Sequence, residues 1–193
     1  MAKNDAATLV VGAGNFFRAP TGTAIPNDLT QVAGDWENVG NTSIEDIFGT
    51  SSEGGEKSVL ATLQNPTLRT RYSPRTESFT FNLQQFDEAS LRLYYGSNMV
   101  DVNEDGTLLG VPLNPTPTEG AFLAVFIDGE NVFAFYAPKS EQFRGDDAEI
   151  SNTEDLASLP IQVTPLKHND NGWAYAVTPL ESVEGGDTGG DDS

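Results

Sequence analysis

Thr67–Ser97 reads TLRTRYSPRTESFTFNLQQFDEASLRLYYGS, one strand and one short helix joined by almost no linker. In Glu77–Gln85 the apolar residues Phe79, Phe81 and Leu83 alternate with Ser78, Thr80 and Asn82. That period of two makes a strand with one greasy and one polar face. Asp87 then stands as a helix N-cap, with Phe86 before it and Leu91 four residues after it, a pair spaced to staple across the cap. Leu91, Tyr94 and Tyr95 keep a helical spacing, and Gly96 supplies the stop, so 87–96 is expected to be helical. About two turns are too few to hold in water alone, so the helix needs a sheet to lean on.

Working outward, Thr8–Ala19 reads as a first strand with a Gly-Ala-Gly break, followed by an ordered, turn-rich loop over Pro20–Ala33. Asp35–Val39 offers a short strand with Trp36 as a buried anchor. Ile44–Lys57 is acidic and glycine-rich and reads as loop, while Val59–Tyr72 is strand-like until Pro74. Beyond the helix, Met99–Val111 forms a hairpin turning at Glu104–Thr107. Ala121–Ala137 is a second hairpin of two heavily buried strands around Asp128–Asn131. Lys139–Asp155 reads as polar and irregular, and Leu159–Leu166 and Trp173–Thr178 as two closing strands. About eight strands at hairpin spacing with one short helix predict a mainly β protein, an antiparallel β-sandwich or barrel. Residues 1–7 are expected to be a loose arm, 8–180 one domain, and 181–193 a disordered acidic tail.

The 193 residues carry 29 acids against 10 bases, a formal charge of −19. Affinity for free nucleic acid needs clustered Lys and Arg, so DNA binding is disfavoured, as is an anionic membrane surface. The absence of cysteine removes disulfides, thiol chemistry and thiolate zinc sites. The opening MAKNDAATLVVGAGNFF has no signal-peptide pattern, and no run reaches the ~20 apolar residues of a membrane helix. A soluble protein made in a cytoplasm is expected.

No constellation points to catalysis or a cofactor. Asp101, Asn103 and Asp105 followed by Gly106 match the opening of a calcium loop, but Pro112 occupies the place of its final acid. The readings there are a calcium-dependent binding module or a plain turn. His168, the single histidine, lacks triad or metal partners, and Gly12-Ala13-Gly14 lacks the third glycine of a dinucleotide fingerprint. Glu45, Asp46, Glu53 and Glu56 sit in an acidic loop as solvated or interfacial charges. Arg69, Arg71 and Arg75 cluster in an otherwise anionic chain. They either balance local charge or form a socket for a neighbour's carboxylates.

Ser52–Gln64 with the block that follows it resembles the major tail tube protein of long-tailed (siphovirus-type) bacteriophages. FFRAPTGTAIPNDLT…WENVGNTSIEDI, VDVNEDGTLLGVP and AFLAVF…FAFYAPK continue the likeness over most of residues 8–180. The resemblance implies a two-sheet β-sandwich with one packed helix, without enzymatic activity or cofactor. It implies hexameric rings stacked into a virion tail tube that conducts DNA, alongside tape measure, tail initiator and tail terminator proteins. A terminator or connector ring of the same fold is the nearest alternative. In the family a long loop reaches the neighbouring ring; the matching stretch is 44–64. Ile47 and Phe48 are then the expected apolar anchors, and Glu53 and Glu56 rim charges, with Ile44, Arg69, Arg71 and Arg75 as further contact candidates.

Overall fold

The computed structural model describes residues 8–148, 150 and 155–182. The loose arm expected at 1–7 and the acidic tail from 183 onward lie outside the described residues. In chain order, β1 (Ala13–Ala19), β2 (Glu37–Asn38), β3 (Gly49–Gly54), β4 (Lys57–Leu60), β5 (Arg69–Tyr72) and β6 (Arg75–Leu83) precede helix α1 (Glu88–Tyr95). Then come β7 (Val100–Asp101), β8 (Leu109–Gly110), β9 (Thr118–Asp128), β10 (Asn131–Arg144), β11 (Leu159–Pro165), β12 (Ala176–Val177) and β13 (Glu181–Ser182). The protein is mainly β with a single helix, its strands pair antiparallel, and no sheet closes into a barrel among the described residues.

Two compact units emerge, and β10 contributes to the first as far as Ser140 and to the second from Glu141. The first takes residues 8–39, 119–140 and 166–182, with strands in the order β2-β1-β9-β10 and β12 and β13 also on β10. The β9–β10 hairpin turns at Gly129, which holds the positive φ a tight hairpin turn needs. Every residue of β9 from Gly120 to Phe126 is buried, and because side chains alternate across a strand both faces are covered, the layered arrangement of a β-sandwich. One face gathers Ala19, Leu123, Val125, Ala134 and Tyr136 beneath Ile25, Leu29 and Val32 of the Pro20–Ala33 loop. Trp36 closes this cluster: its ring meets Tyr136 edge-on, and its Nε1–H donates to the Ala24 carbonyl at 3.1 Å. Burying an indole with its one donor satisfied makes it an anchor rather than a liability. On the other face Phe16 stacks on Phe122 and meets Phe126 edge-on.

The second unit takes residues 40–118 and the described part of 141–165, and orders the end of β10, β11, β6 and β3 side by side. Here the alternation in β6 has its partner in β11. Phe79 faces Val163, Phe81 faces Ile161 and Leu83 faces Leu159, and all six are buried. Helix α1 leans on β11. Asp87 caps it by accepting from the Ser90 amide at 2.9 Å, and Gly96 ends it at φ 120° with its N–H on the Arg92 carbonyl. Its buried face is Ser90, Leu93 and Tyr94, rotated from the expected Leu91/Tyr94/Tyr95 stripe. The buried Tyr94 hydroxyl donates to the carbonyl of Asp146, a polar contact that hydropathy does not register.

Five expectations are corrected. Strand β1 begins at Ala13, because Gly12 only donates one bond to the Ile127 carbonyl. The supposed loop 44–57 contains strand β3, six residues paired with β6 from Gly49↔Thr80 to Gly54↔Arg75. Strand β10 continues through Lys139 to Arg144 where an irregular stretch was expected. There Ser140 and Gln142 take core positions, the Ser140 hydroxyl donating to the Gly120 carbonyl. The strand expected over Trp173–Thr178 is ordered as β only at Ala176–Val177. Glu181 and Ser182, placed by sequence in the tail, pair as β13 with Val132 and Asn131.

Candidate assembly surface

The loop expected over 44–64 and the arginine cluster prove to be parts of one object. Strands β3 and β6 pair from Gly49↔Thr80, and β4 and β5 pair from Lys57↔Tyr72 to Leu60↔Arg69 in the same register. Between them Gly55 donates to the Pro74 carbonyl, and Ser73 and Glu56 exchange bonds through the Glu56 carbonyl and the Ser73 hydroxyl. The result is a single β-arm, twelve residues a side from Gly49 to Leu60, or about 40 Å if straight at ~3.3 Å per residue. Its tip spans 61–68, tied by reciprocal Thr62 and Asn65 backbone bonds.

An elbow interrupts it. Gly54 and Gly55 both hold positive φ, 86° and 70°, opposite Pro74, which has no N–H to give the ladder. A Cβ on Gly54 would lie 2.2 Å from the Pro74 carbonyl oxygen, so only glycine fits. Sequence reading took these glycines as loop; they shape a bend in a strand.

From Ser51 to Thr76 every residue but Gly55 is exposed. The β4–β5 ladder puts Leu60, Arg69 and Arg71 on one face, and Val59, Lys57 and Tyr72 on the other. Leu63 at the tip is 96% exposed. Lys57, Arg69, Arg71 and Arg75 are the only charges between Glu56 and Glu77, so this segment carries +4 and the rest of the chain −23 of the formal −19. Arg69 and Arg71 have no ion-pair partner among the described residues. Local charge balance, one of the two readings for this cluster, therefore has no bonded counterpart among the described residues.

The remaining candidates are distributed otherwise. Glu53 faces Thr76 on the arm, and Glu56 begins its distal half. Ile44 lies exposed before β3. Ile47 is partly buried, and Phe48 packs against Phe79 with ring centroids 5.4 Å apart, inside its own chain. Beside Phe48 runs a groove of about 490 Å³ lined by Asp46, Thr80, Asn82, Asp146 and Asp147. It presents carboxylates with no nucleophile–base pair. The apolar tip residues Leu60, Leu63 and Tyr72 escaped sequence reading, because in a strand-like run apolar side chains are read as core.

The calcium-like loop is a tied turn. Asn103 accepts from the Leu108 amide at 2.9 Å and donates to the Thr107 hydroxyl, and Gly106 takes positive φ. Asp101 pairs with Arg92 at 3.1 Å. The hydrogen bond Arg92 donates to Glu88, with the charges of Glu88 and Asp101, holds the Arg92 guanidinium above its ordinary pKa. Arg92 also donates to the Met99 carbonyl, so one side chain fastens β7 to α1. His168 lies in a turn closed by the Asn171 amide, over Gly22.

A family model described as phage tail tube protein matches residues 1–179 of this chain. Major tail protein Gp23 of Mycobacterium phage L5 is 36% identical over 184 residues, covering 88% of this chain and 90% of that protein. Major tail protein Gp23 of Mycobacterium phage D29 is 35% identical over 184 residues with the same coverage.

Proposed function

We propose, on the premise that this chain belongs to the phage tail tube protein family and is a structural component of the virion tail rather than an enzyme, a specific mode of assembly. Six subunits close into a ring through a head-to-tail contact, and rings stack through a second contact that does not close and so makes a tube. The arm Gly49–Thr80 is the ring-to-ring connector. Tape measure, initiator and terminator proteins complete the tail.

One observation carries this reading: a long β-arm exposed on both faces, with apolar residues at its outer half and arginines that have no ion-pair partner among the described residues. A two-stranded hairpin is marginal alone in water, and exposed apolar groups on it invite a partner. The charge of −23 outside residues 57–76 fits a conduit for DNA. Carboxylates repel phosphate within a Debye length of ~8 Å at physiological salt, so the duplex passes without contacts that would slow it.

Electron microscopy of the purified protein across rising concentration tests the reading. Hollow tubes with a regular ring repeat are expected. Isolated rings that never stack at any concentration would contradict it and favour a terminator.

A further inference from the structure

The connector needs a seat, and the second unit holds a surface fitted for it. The β7–β8 hairpin is closed at its base, where Asn98 accepts from the Thr116 amide at 2.7 Å and donates to the Asn114 carbonyl. It is fixed to α1 by Arg92. On this fastened frame Val100 and Val102 lean over Gly110, where a Cβ would lie only 3.1 and 2.9 Å from their methyl groups. Leu108 stands opposite Val102, and all three apolar side chains are exposed. Val111 and the fully exposed Leu113 follow just beyond β8. Three exposed aliphatic side chains on a hairpin held by side-chain clamps, with two more directly after it, exceed the scattered exposure of an ordinary surface.

Charge selects the occupant. From Asn98 to Asn114 the sequence holds Asp101, Glu104 and Asp105 and no Lys or Arg, the inverse of residues 57–72, which hold Lys57, Arg69 and Arg71 and no acid. Glu104 and Asp105, at the turn, have no ion-pair partner among the described residues. Each surface joins exposed aliphatics to charges of one sign, and the signs are opposite. Hence we propose that the Val100–Gly110 hairpin is the seat on one copy for the distal arm, residues 57–72, of another copy. The contact puts Arg69 and Arg71 against Glu104 and Asp105, with Leu63 and Leu60 against the exposed aliphatic side chains of residues 102–113. This deepens the reading of the arm as connector and rests on it.

Charge exchange separates the two claims. Three variants are compared with the wild type: Arg69→Glu/Arg71→Glu, Glu104→Lys/Asp105→Lys, and all four substitutions together. Circular dichroism melts establish that each is folded, and sedimentation gives the concentration at which tubes appear. Each pair alone is expected to raise that concentration at least tenfold, and the fourfold variant to recover most of the loss. If the arm pair blocks assembly while the hairpin pair assembles normally, the seat lies elsewhere and the connector stands. If neither pair changes assembly, both readings fail. A folded fourfold variant that does not recover overturns the direct pairing. So does a chain ending at Ser182 that loses assembly as the arm variant does, since the acidic residues 183–193 would then be the arm's partner.

Discussion

Replacing Leu63 with serine should leave the subunit as stable as before and make it a much poorer polymer. Leu63 sits at the arm tip, 96% exposed, while the turn beneath it is held by backbone bonds between Thr62 and Asn65. A surface substitution of that kind changes stability by at most about 0.5 kcal/mol, or about 2 °C in melting temperature for a chain of this size. In the proposed tube contact the same side chain is buried against a neighbour. Full burial of a leucine stabilises by about 1.5–3 kcal/mol, and each ~1.4 kcal/mol is a factor of ten. The subunit concentration in equilibrium with tubes should therefore rise about 10- to 150-fold. Pelleting tubes at a series of total concentrations and measuring the supernatant gives that value directly, alongside a thermal melt. A supernatant concentration within threefold of wild type would refute burial of the tip at an interface. A melting temperature lowered by many degrees would refute its independence from the core.

Three other perturbations probe separate parts of the structure. Gly54→Ala places a Cβ against the Pro74 carbonyl at positive φ, which costs about 1–2 kcal/mol before the clash is counted. The arm yields rather than the cores, so polymerisation should weaken by tenfold or more by sedimentation while the melting temperature moves little. Trp36→Ala removes the lid of the first unit's core at a cost of about 3–5 kcal/mol. A melt should show a fall of about 6–20 °C at ~2–4 °C per kcal/mol. Burial raises the pKa of Tyr94 and Tyr136, whose hydroxyls donate to the Asp146 and Thr23 carbonyls. The folded state then keeps protons the unfolded chain has lost, so stability is full below the unfolded tyrosine pKa of ~10 and falls as pH rises past it. Urea titrations at pH 8 and pH 11 should show that drop, and it should shrink in Tyr94→Phe/Tyr136→Phe.

The legible parts of the fold were those where burial and periodicity coincide. Phe79, Phe81 and Leu83 announce β6 because one face of that strand is core, and Asp87 announces α1 because its cap is local chemistry. The arm was illegible as a strand for the opposite reason. Gly-Thr-Ser-Ser-Glu-Gly has no apolar face to bury, and β3 exists because β6 offers it a ladder of hydrogen bonds. The far end of β10 was hidden because Ser140 and Gln142 fill core positions that a hydrophobic pattern assigns to apolar residues. At the candidate surface the arginines stood out because cations are rare in this chain. Phe48 was singled out for its apolarity alone, and the ring lies against Phe79. Leu63 and Leu113 passed unnoticed because sequence does not tell an exposed leucine from a buried one.

Removing the arm's outer half tests the connector most directly. Glu56 and Ser73 already face each other in register, so residues 57–72 can be replaced by an Asn-Gly turn without disturbing β3 or β6. Wild type and shortened chain are imaged by electron microscopy at the same concentration after matching circular dichroism spectra. The expected result is stacked tubes from the wild type, and none from the shortened chain, which stops at rings or free subunits. Tubes of equal length and ring repeat from both would contradict the arm's role in joining rings.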